Sequence, residues 1–161
     1  MSAGEPIDEG GGRWPEVAGR LAARTHVLPI RVYFEDTDMS GLVYHASYLR
    51  FLERGRTDFL RLLGIGHSAL LAGEHGEPLF FAVRSLSIEF VRPAAIDDLL
   101  EVVTTPGAVQ GARCLLSQEV RRGAVTLVQA NVTVALVNAA GRPRRIPLAL
   151  RDRLQSFVGP G

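Results

Sequence analysis

Three acids fall within four positions in the run Tyr33-Phe34-Glu35-Asp36-Thr37-Asp38-Met39-Ser40-Gly41, and a long amphipathic segment starts a few residues later. The first N–H groups of a helix have no intrahelical acceptor, so they can hydrogen-bond a carbonyl oxygen as it gains negative charge. A carboxylate held across from them can deprotonate water or attack directly. That pairing suits acyl transfer. A thioester is a fitting target, because its carbonyl is already activated and needs no metal. In this reading Asp38 is the base or nucleophile, and the N–H groups around His45 and Ala46 are the oxyanion donors. The plain alternative is that the acids solvate the loop and favour the helix start by about 0.3–1 kcal/mol each. The expected caps, however, lie at Tyr44 to Ala46, several residues past Asp38, so capping accounts poorly for that residue.

Other chemistries find less support. A serine nucleophile elbow requires Gly-x-Ser-x-Gly between a strand and a helix. The nearest match, Gly66-His67-Ser68-Ala69-Leu70, lacks the final glycine and follows a helix. Cys114 lies mid-strand and reads as a small buried hydrophobe. His45, Glu53, His67 and His75 show no His-Glu-x-x-His spacing, so no metal site is expected. The glycines form neither a dinucleotide fingerprint nor a phosphate loop. Arg142, Arg144 and Arg145 flank Pro143; they read as a solvated turn or as a clamp for phosphates such as those of coenzyme A, with Arg84 and Arg92 able to add to it.

These groups must be positioned by regular elements. Val27 to Phe34 is rich in β-branched and aromatic residues and reads as a strand. Tyr48, Phe51, Leu52, Gly55, Phe59, Leu62 and Leu63 recur at three and four residues, which predicts a helix from about Ala46 to Leu63. Arg50, Glu53, Arg54, Arg56, Asp58 and Arg61 would cover its solvent side, with Arg50–Glu53 and Arg54–Asp58 spaced for weak surface pairing. A shorter helical piece is expected around Ser68 to Gly73. Strands follow at Leu86–Phe90, Leu99–Val109 (bulged near Pro106-Gly107), Ala112–Arg121 and Val125–Val137, and Pro147 opens a short C-terminal helix. Short turns between these four strands imply antiparallel neighbours, and one helix against an antiparallel sheet is an α+β layout.

The totals fit this picture. The chain has 161 residues, 47% of them hydrophobic, enough for one packed domain. All 18 Lys-plus-Arg residues are arginine, yet the formal net charge is only +1, which argues against a dedicated nucleic-acid binder. Residues 1–25, with Gly10-Gly11-Gly12 and mixed charges, read as a flexible extension, within which Trp14–Leu21 could form a short helical turn. Residues 26–158 then form the domain. Glu5, Asp8 and Glu9 stand where a signal peptide needs a basic region. No apolar stretch reaches membrane-spanning length. A soluble cytoplasmic protein is expected.

The run Arg31-Val32-Tyr33-Phe34-Glu35-Asp36-Thr37-Asp38, followed by Gly41, Val43-Tyr44-His45-Ala46-Ser47-Tyr48, Glu53-Arg54 and Arg56-Thr57, resembles the hotdog-fold acyl-CoA thioesterases of the 4-hydroxybenzoyl-CoA thioesterase family. Within that family it resembles the YbgC-like, Tol-Pal-associated branch. The likeness continues through Val83-Arg84, Phe90, Pro93-Ala94, Asp97-Asp98 and Arg142-Pro143-Arg144, covering roughly Leu28 to Phe157. It implies a curved antiparallel sheet around a central helix, and a homodimer or homotetramer with sites between subunits. The family's catalytic Asp falls on Asp38 and its backbone oxyanion donor on His45. Gly41, Val43 and Tyr44 would shape the acyl pocket, and Val83, Arg84 and Ser85 would come from the partner chain. Coenzyme A would be part of the substrate, with no separate cofactor. Acyl carrier protein and Tol-Pal-linked proteins are the implied partners, the latter placing the protein peripherally at the inner membrane. Where the family has Gly-Gly or Ala-Gly before its Val-Tyr-His run, this chain has Met39-Ser40-Gly41, a change expected to alter loop shape more than chemistry. The competing expectations are a same-fold hydratase or dehydratase, and a non-catalytic module that binds acyl thioesters or envelope complexes.

Overall fold

A computed structural model describes residues 18–158. The elements are β1 (Arg20–Ala22), β2 (Thr25–Arg31), a 3-10 turn at Phe34–Asp36, α1 (His45–Leu62), α2 (His67–Leu71), β3 (Leu79–Phe90), β4 (Leu99–Gln110), β5 (Arg113–Arg122), β6 (Val125–Asn138) and α3 (Leu148–Gln155). All six strands form one antiparallel sheet in the order β1-β2-β4-β5-β6-β3. The sheet curves around α1, the α+β arrangement the sequence implies.

The helix forms where its apolar stripe predicts. Tyr48, Phe51, Leu52 and Phe59 are buried and fill the concave side of the sheet. The core has two halves. One packs Phe51 and Leu52 against Ile30, Leu100, Val102 and Val120; the other packs Phe59 and Leu60 against Val109, Leu116, Leu136 and Leu154. The alternation read for β5 holds, with Cys114, Leu116, Gln118 and Val120 all inward. The bulge expected near Pro106-Gly107 appears as a register shift between Pro106 and Val109.

Several expectations need correction. Arg56 and Asp58, assigned to the solvent face of the helix, are buried. Glu53 pairs with Arg56, and Asp58 with His26 and Arg61, so the expected Arg50–Glu53 and Arg54–Asp58 surface pairs give way to these. The four later strands are not simple sequential neighbours. β3 crosses to the far edge and pairs with β6, because the segment from Val91 to Asp98 is long enough to skip two strands. β3 is also longer than expected, since a register shift between Val83 and Ser85 breaks the alternation that marks its second half. β2 ends at Arg31, and Phe34 to Asp36 curl into a 3-10 turn. Arg20–Ala22 pairs with β2, where the sequence suggested an extension and a helical turn. The rest of that turn, at Trp14, and residues 1–17 lie outside the described residues.

Candidate active site at the start of the central helix

The connection from β2 to α1 folds as a miniature hairpin. Thr37 and Val43 face each other in an antiparallel bridge, and the Asp38 N–H donates to the Leu42 carbonyl at 2.9 Å. The Gly41 N–H closes the turn on the Asp38 carbonyl at 3.1 Å. Gly41 has φ +77°, a left-handed conformation that explains a glycine here. The second arm is fastened to the segment after β3. The Val43 N–H donates to the Ala94 carbonyl at 2.9 Å, and the Ile96 N–H to the Gly41 carbonyl at 3.0 Å. The Ala94 N–H in turn donates to the hydroxyl of buried Tyr48, in the first turn of α1, at 3.0 Å. The acidic hairpin, the helix start and the segment after β3 therefore support one another.

This packing separates the three acids. Asp36 is buried: its Oδ2 accepts from the Tyr33 N–H at 2.9 Å, and its carbonyl accepts from the Tyr44 N–H at 2.9 Å and the Ser47 hydroxyl at 3.0 Å. It braces the loop. Glu35 is exposed on the 3-10 turn. Asp38 is exposed at the hairpin tip, where its Oδ1 accepts from both the Ser40 hydroxyl and the Ser40 N–H. The hydroxyl bond, followed by the Ser40 and Leu42 N–H groups, holds the Asp38 carboxyl below the usual carboxylate range, against a smaller opposing effect of desolvation. The altered Met39-Ser40-Gly41 run thus reaches the carboxylate itself as well as the loop's shape.

The helix beside it begins without a cap. Tyr44 occupies the N-cap and makes no side-chain cap hydrogen bond, and the first turn contains no acid. Ser47 spends its hydroxyl on Asp36. The His45 and Ala46 N–H groups have no acceptor among the described residues. A cap contributes on the order of 1 kcal/mol, so leaving these donors open costs stability and preserves an anion-seeking end. The His45 ring packs at 4.3 Å from the Tyr44 ring and edge-on to Phe90 at 6.4 Å. A groove of about 280 Å³ opens here, lined by Val43, His45, Tyr48, Phe90, Arg92 and Pro93.

The residues expected to bind substrate divide into two groups. Gly41 and Tyr44 lie on the hairpin with Asp38, and Tyr44 is half-exposed. Val43 is largely committed to the core, so only its edge reaches the groove. Val83, Arg84 and Ser85 lie at the irregular step in β3, seven, six and five positions before Phe90, which is roughly 17–23 Å along a strand. Val83 instead borders a groove of about 330 Å³ with Leu49, Glu53, Arg56 and Leu86. Arg142, Arg144 and Arg145 follow β6 beside Leu79, at the opposite end of β3 from Phe90 and roughly 36 Å away. Arg144 is paired with Glu77 at 2.6 Å. Within one chain these arginines and the Asp38 hairpin are not brought together, whereas Arg92 lines the groove at the helix start.

Three contributors were not legible as such. Ser40 carries only a weak sequence signal, a hydroxyl two positions after an acid in a turn. Tyr48 was counted for its apolar ring, and its hydroxyl's role depends on Ala94 in a distant segment. Phe90 was assigned to a strand face and turns out to be half-exposed over the groove. Cys114 is buried, which pushes its thiol up to about 11 and leaves it inert. Among the described residues no group of three or more His, Cys, Asp or Glu side chains could hold a metal ion.

Comparison with known proteins agrees with this architecture. Residues 40–129 match the family model described as the thioesterase superfamily. The acyl-CoA thioesterase YbgC of Haemophilus influenzae is 44% identical over 111 residues, covering 69% of this chain and 79% of that protein. The acyl-CoA thioester hydrolase YbgC of Escherichia coli is 39% identical over 124 residues, covering 76% and 90%. The crystal structure of a probable thioesterase from Bartonella henselae superposes with a TM-score of 0.75 at 50% identity, covering 76% of this chain and 99% of that one. With its curved sheet wrapped around α1 and its extensive match to YbgC-type relatives, the chain belongs to the hotdog-fold thioesterase superfamily.

Proposed function

We propose that the protein hydrolyses the thioester of an acyl-CoA to the free acid and coenzyme A, with Asp38 as base or nucleophile and the His45 N–H as oxyanion donor. The observation that carries this reading is an exposed, hydrogen-bonded carboxylate on a braced hairpin that leads directly into an uncapped helix start. The names of the Haemophilus and Escherichia relatives support the substrate class. As base, Asp38 takes a proton from water while the water oxygen attacks the carbonyl carbon. The carbonyl oxygen becomes an oxyanion and accepts from the His45 N–H. Collapse of the tetrahedral species breaks the carbon–sulfur bond and releases coenzyme A as the thiolate. As nucleophile, Asp38 would form an acyl anhydride that water then opens.

The working form in this proposal is a homodimer, or a homotetramer built from it. β3 is a twelve-residue sheet edge bearing exposed Val83, Leu86 and Phe90, a surface that a second copy of the chain would cover. In such an assembly Val83 to Ser85, and the arginines at 142, 144 and 145, would serve the Asp38 hairpin of the other subunit, with the arginines holding phosphates. No helix of the described residues is long and apolar enough to cross a membrane. The proposed setting is cytoplasmic, with acyl carrier protein or Tol-Pal-linked proteins as further partners.

Thiol release measured over a panel of acyl-CoA chain lengths tests the activity. Asp38→Asn should lower kcat by roughly 10²–10⁴-fold while acyl-CoA binding persists. Full activity in that variant would remove Asp38 from the chemistry. Water addition to an enoyl thioester without thiol release would favour the hydratase reading, and tight binding with no turnover of any chain would favour a binding module. Single-turnover hydrolysis in heavy-oxygen water identifies one route for Asp38: unlabelled product with label in the enzyme marks an anhydride opened by water at the Asp38 carboxyl carbon.

A further inference from the structure

We propose that Ser40 is a positioning residue for the reaction, acting through Asp38. Its two hydrogen bonds to one carboxylate oxygen leave the other oxygen free to react. The inference rests on the assignment of Asp38 as the reacting carboxylate.

The Ser40 N–H lies 2.8 Å from Asp38 Oδ1, and the Ser40 hydroxyl donates to the same oxygen. The backbone bond is what any residue at this position of the turn would make. The hydroxyl is the added element, and it is the largest single influence on the carboxyl. Two donors on one oxygen define the rotation of the carboxylate about its Cβ–Cγ bond. Oδ1 is saturated, so Oδ2 becomes the oxygen that takes a proton from water or attacks the carbonyl. The hairpin tip is exposed and little else packs on it, so without the hydroxyl the carboxylate would sample other rotations.

The charged and titratable groups near this turn do not supply the same effect. On its own loop, Glu35 is exposed on the 3-10 turn and Asp36 is buried with its carboxylate on the Tyr33 N–H. At the helix start, the His45 ring packs on Tyr44 and Phe90. On the segment bonded to the hairpin, Asp98 is paired with Arg122, Asp97 stands at the turn beyond Ile96, and Arg92 lines the groove. The influences on Asp38 are hydrogen bonds and desolvation, with none of these charges among them. The sign follows directly. A donor stabilises the ionised carboxylate, so removing it raises the pH at which Asp38 protonates, and the acid limb of kcat/KM moves to higher pH.

The test uses the full-length protein in three variants, with kcat, KM and the pH profile of kcat/KM followed by thiol release. Ser40→Ala keeps the backbone donor and removes the hydroxyl. It should lower kcat roughly three- to tenfold with KM nearly unchanged, and shift the acid limb upward. Ser40→Thr restores a hydroxyl and should recover both. Asp38→Asn serves as the reference: if it is fully active, the assignment of Asp38 fails and the proposal fails with it. If Asp38→Asn is inactive while Ser40→Ala leaves kcat and the acid limb unchanged, the role of Ser40 alone is overturned. A loss of kcat with the acid limb unmoved, or one that Ser40→Thr does not recover, would also overturn it, since either result reports loop shape only. Unchanged thermal unfolding in the Ser40 variants establishes that the fold is intact.

Discussion

His26 Nε2 lies 2.6 Å from Asp58 Oδ2 in the interior, joining β2 to the middle of α1. The same carboxylate oxygen accepts the Gly19 N–H at 2.8 Å, and Arg61 pairs with the other oxygen. One side chain, on the helix face read from sequence as solvent-facing, thus ties the N-terminal hairpin to the helix. Its removal leaves the His26 Nε2 without its partner and the Gly19 N–H without an acceptor. Asp58→Ala should lower the unfolding free energy by about 3 kcal/mol, measured by urea denaturation of the full chain. A change within about 0.5 kcal/mol, typical of an exposed surface site, would show that the pair is not structural.

Gly55 sets the distance between helix and sheet. A Cβ at this position would fall 2.7 Å from Val102 Cγ1 and 3.2 Å from Gln118 Nε2, both fully buried side chains. Gly55→Ala gains helix propensity but forces α1 off the sheet, and the clash should dominate, costing about 1–3 kcal/mol. A thermal melt decides the sign, with a rise in Tm contradicting the packing argument.

The Tyr48 hydroxyl bridges α1 to the segment that holds the acidic hairpin. Burial raises its pKa, so it stays a neutral donor and acceptor at ordinary pH. Tyr48→Phe leaves the Ala94 N–H unpaired and should cost about 1–2 kcal/mol. It should also loosen the hairpin, lowering kcat severalfold while leaving the overall fold intact. Parallel urea and thiol-release measurements on this one variant would check both effects.

His45 occupies the first helical position, where proline is tolerated because its missing N–H has no intrahelical acceptor. Tyr44, before it, has φ −63° and ψ 135°, which suits a residue preceding proline. His45→Pro therefore removes the proposed oxyanion donor without breaking the helix, and kcat should fall roughly 10²–10³-fold. His45→Ala keeps the N–H and should stay within about fivefold of the parent if the ring takes no part in the chemistry. Equal losses in the two variants would shift the role from the backbone to the imidazole.

Much of the arrangement was legible because it follows from short-range periodicity. The α1 stripe of Tyr48, Phe51, Leu52 and Phe59, and the β5 alternation of Cys114 through Val120, each repeat within one element. Burial follows from the repeat. Asp38 stood out for a similar reason: it lies too far from the cap positions for capping to explain it. Arg56 and Asp58 were misassigned because charge alone suggests exposure. Their partners, Gln118 and His26, lie 62 and 32 residues away, and nothing local announces them.

The sequence by itself determined the helix, the strand faces and the acid-bearing loop ahead of the helix, since each depends on residue types a few positions apart. Tertiary structure decided which acid is braced and which is exposed, that Ser40 donates to Asp38, and that Tyr48 and Ala94 lock the hairpin. It also decided that Arg142, Arg144 and Arg145 lie at the far end of β3 from that hairpin. These outcomes depend on which strands become neighbours, and β3 reaches β6 only through pairing between residues 38 (Phe90 with Val128) to 59 (Leu79 with Asn138) positions apart along the chain.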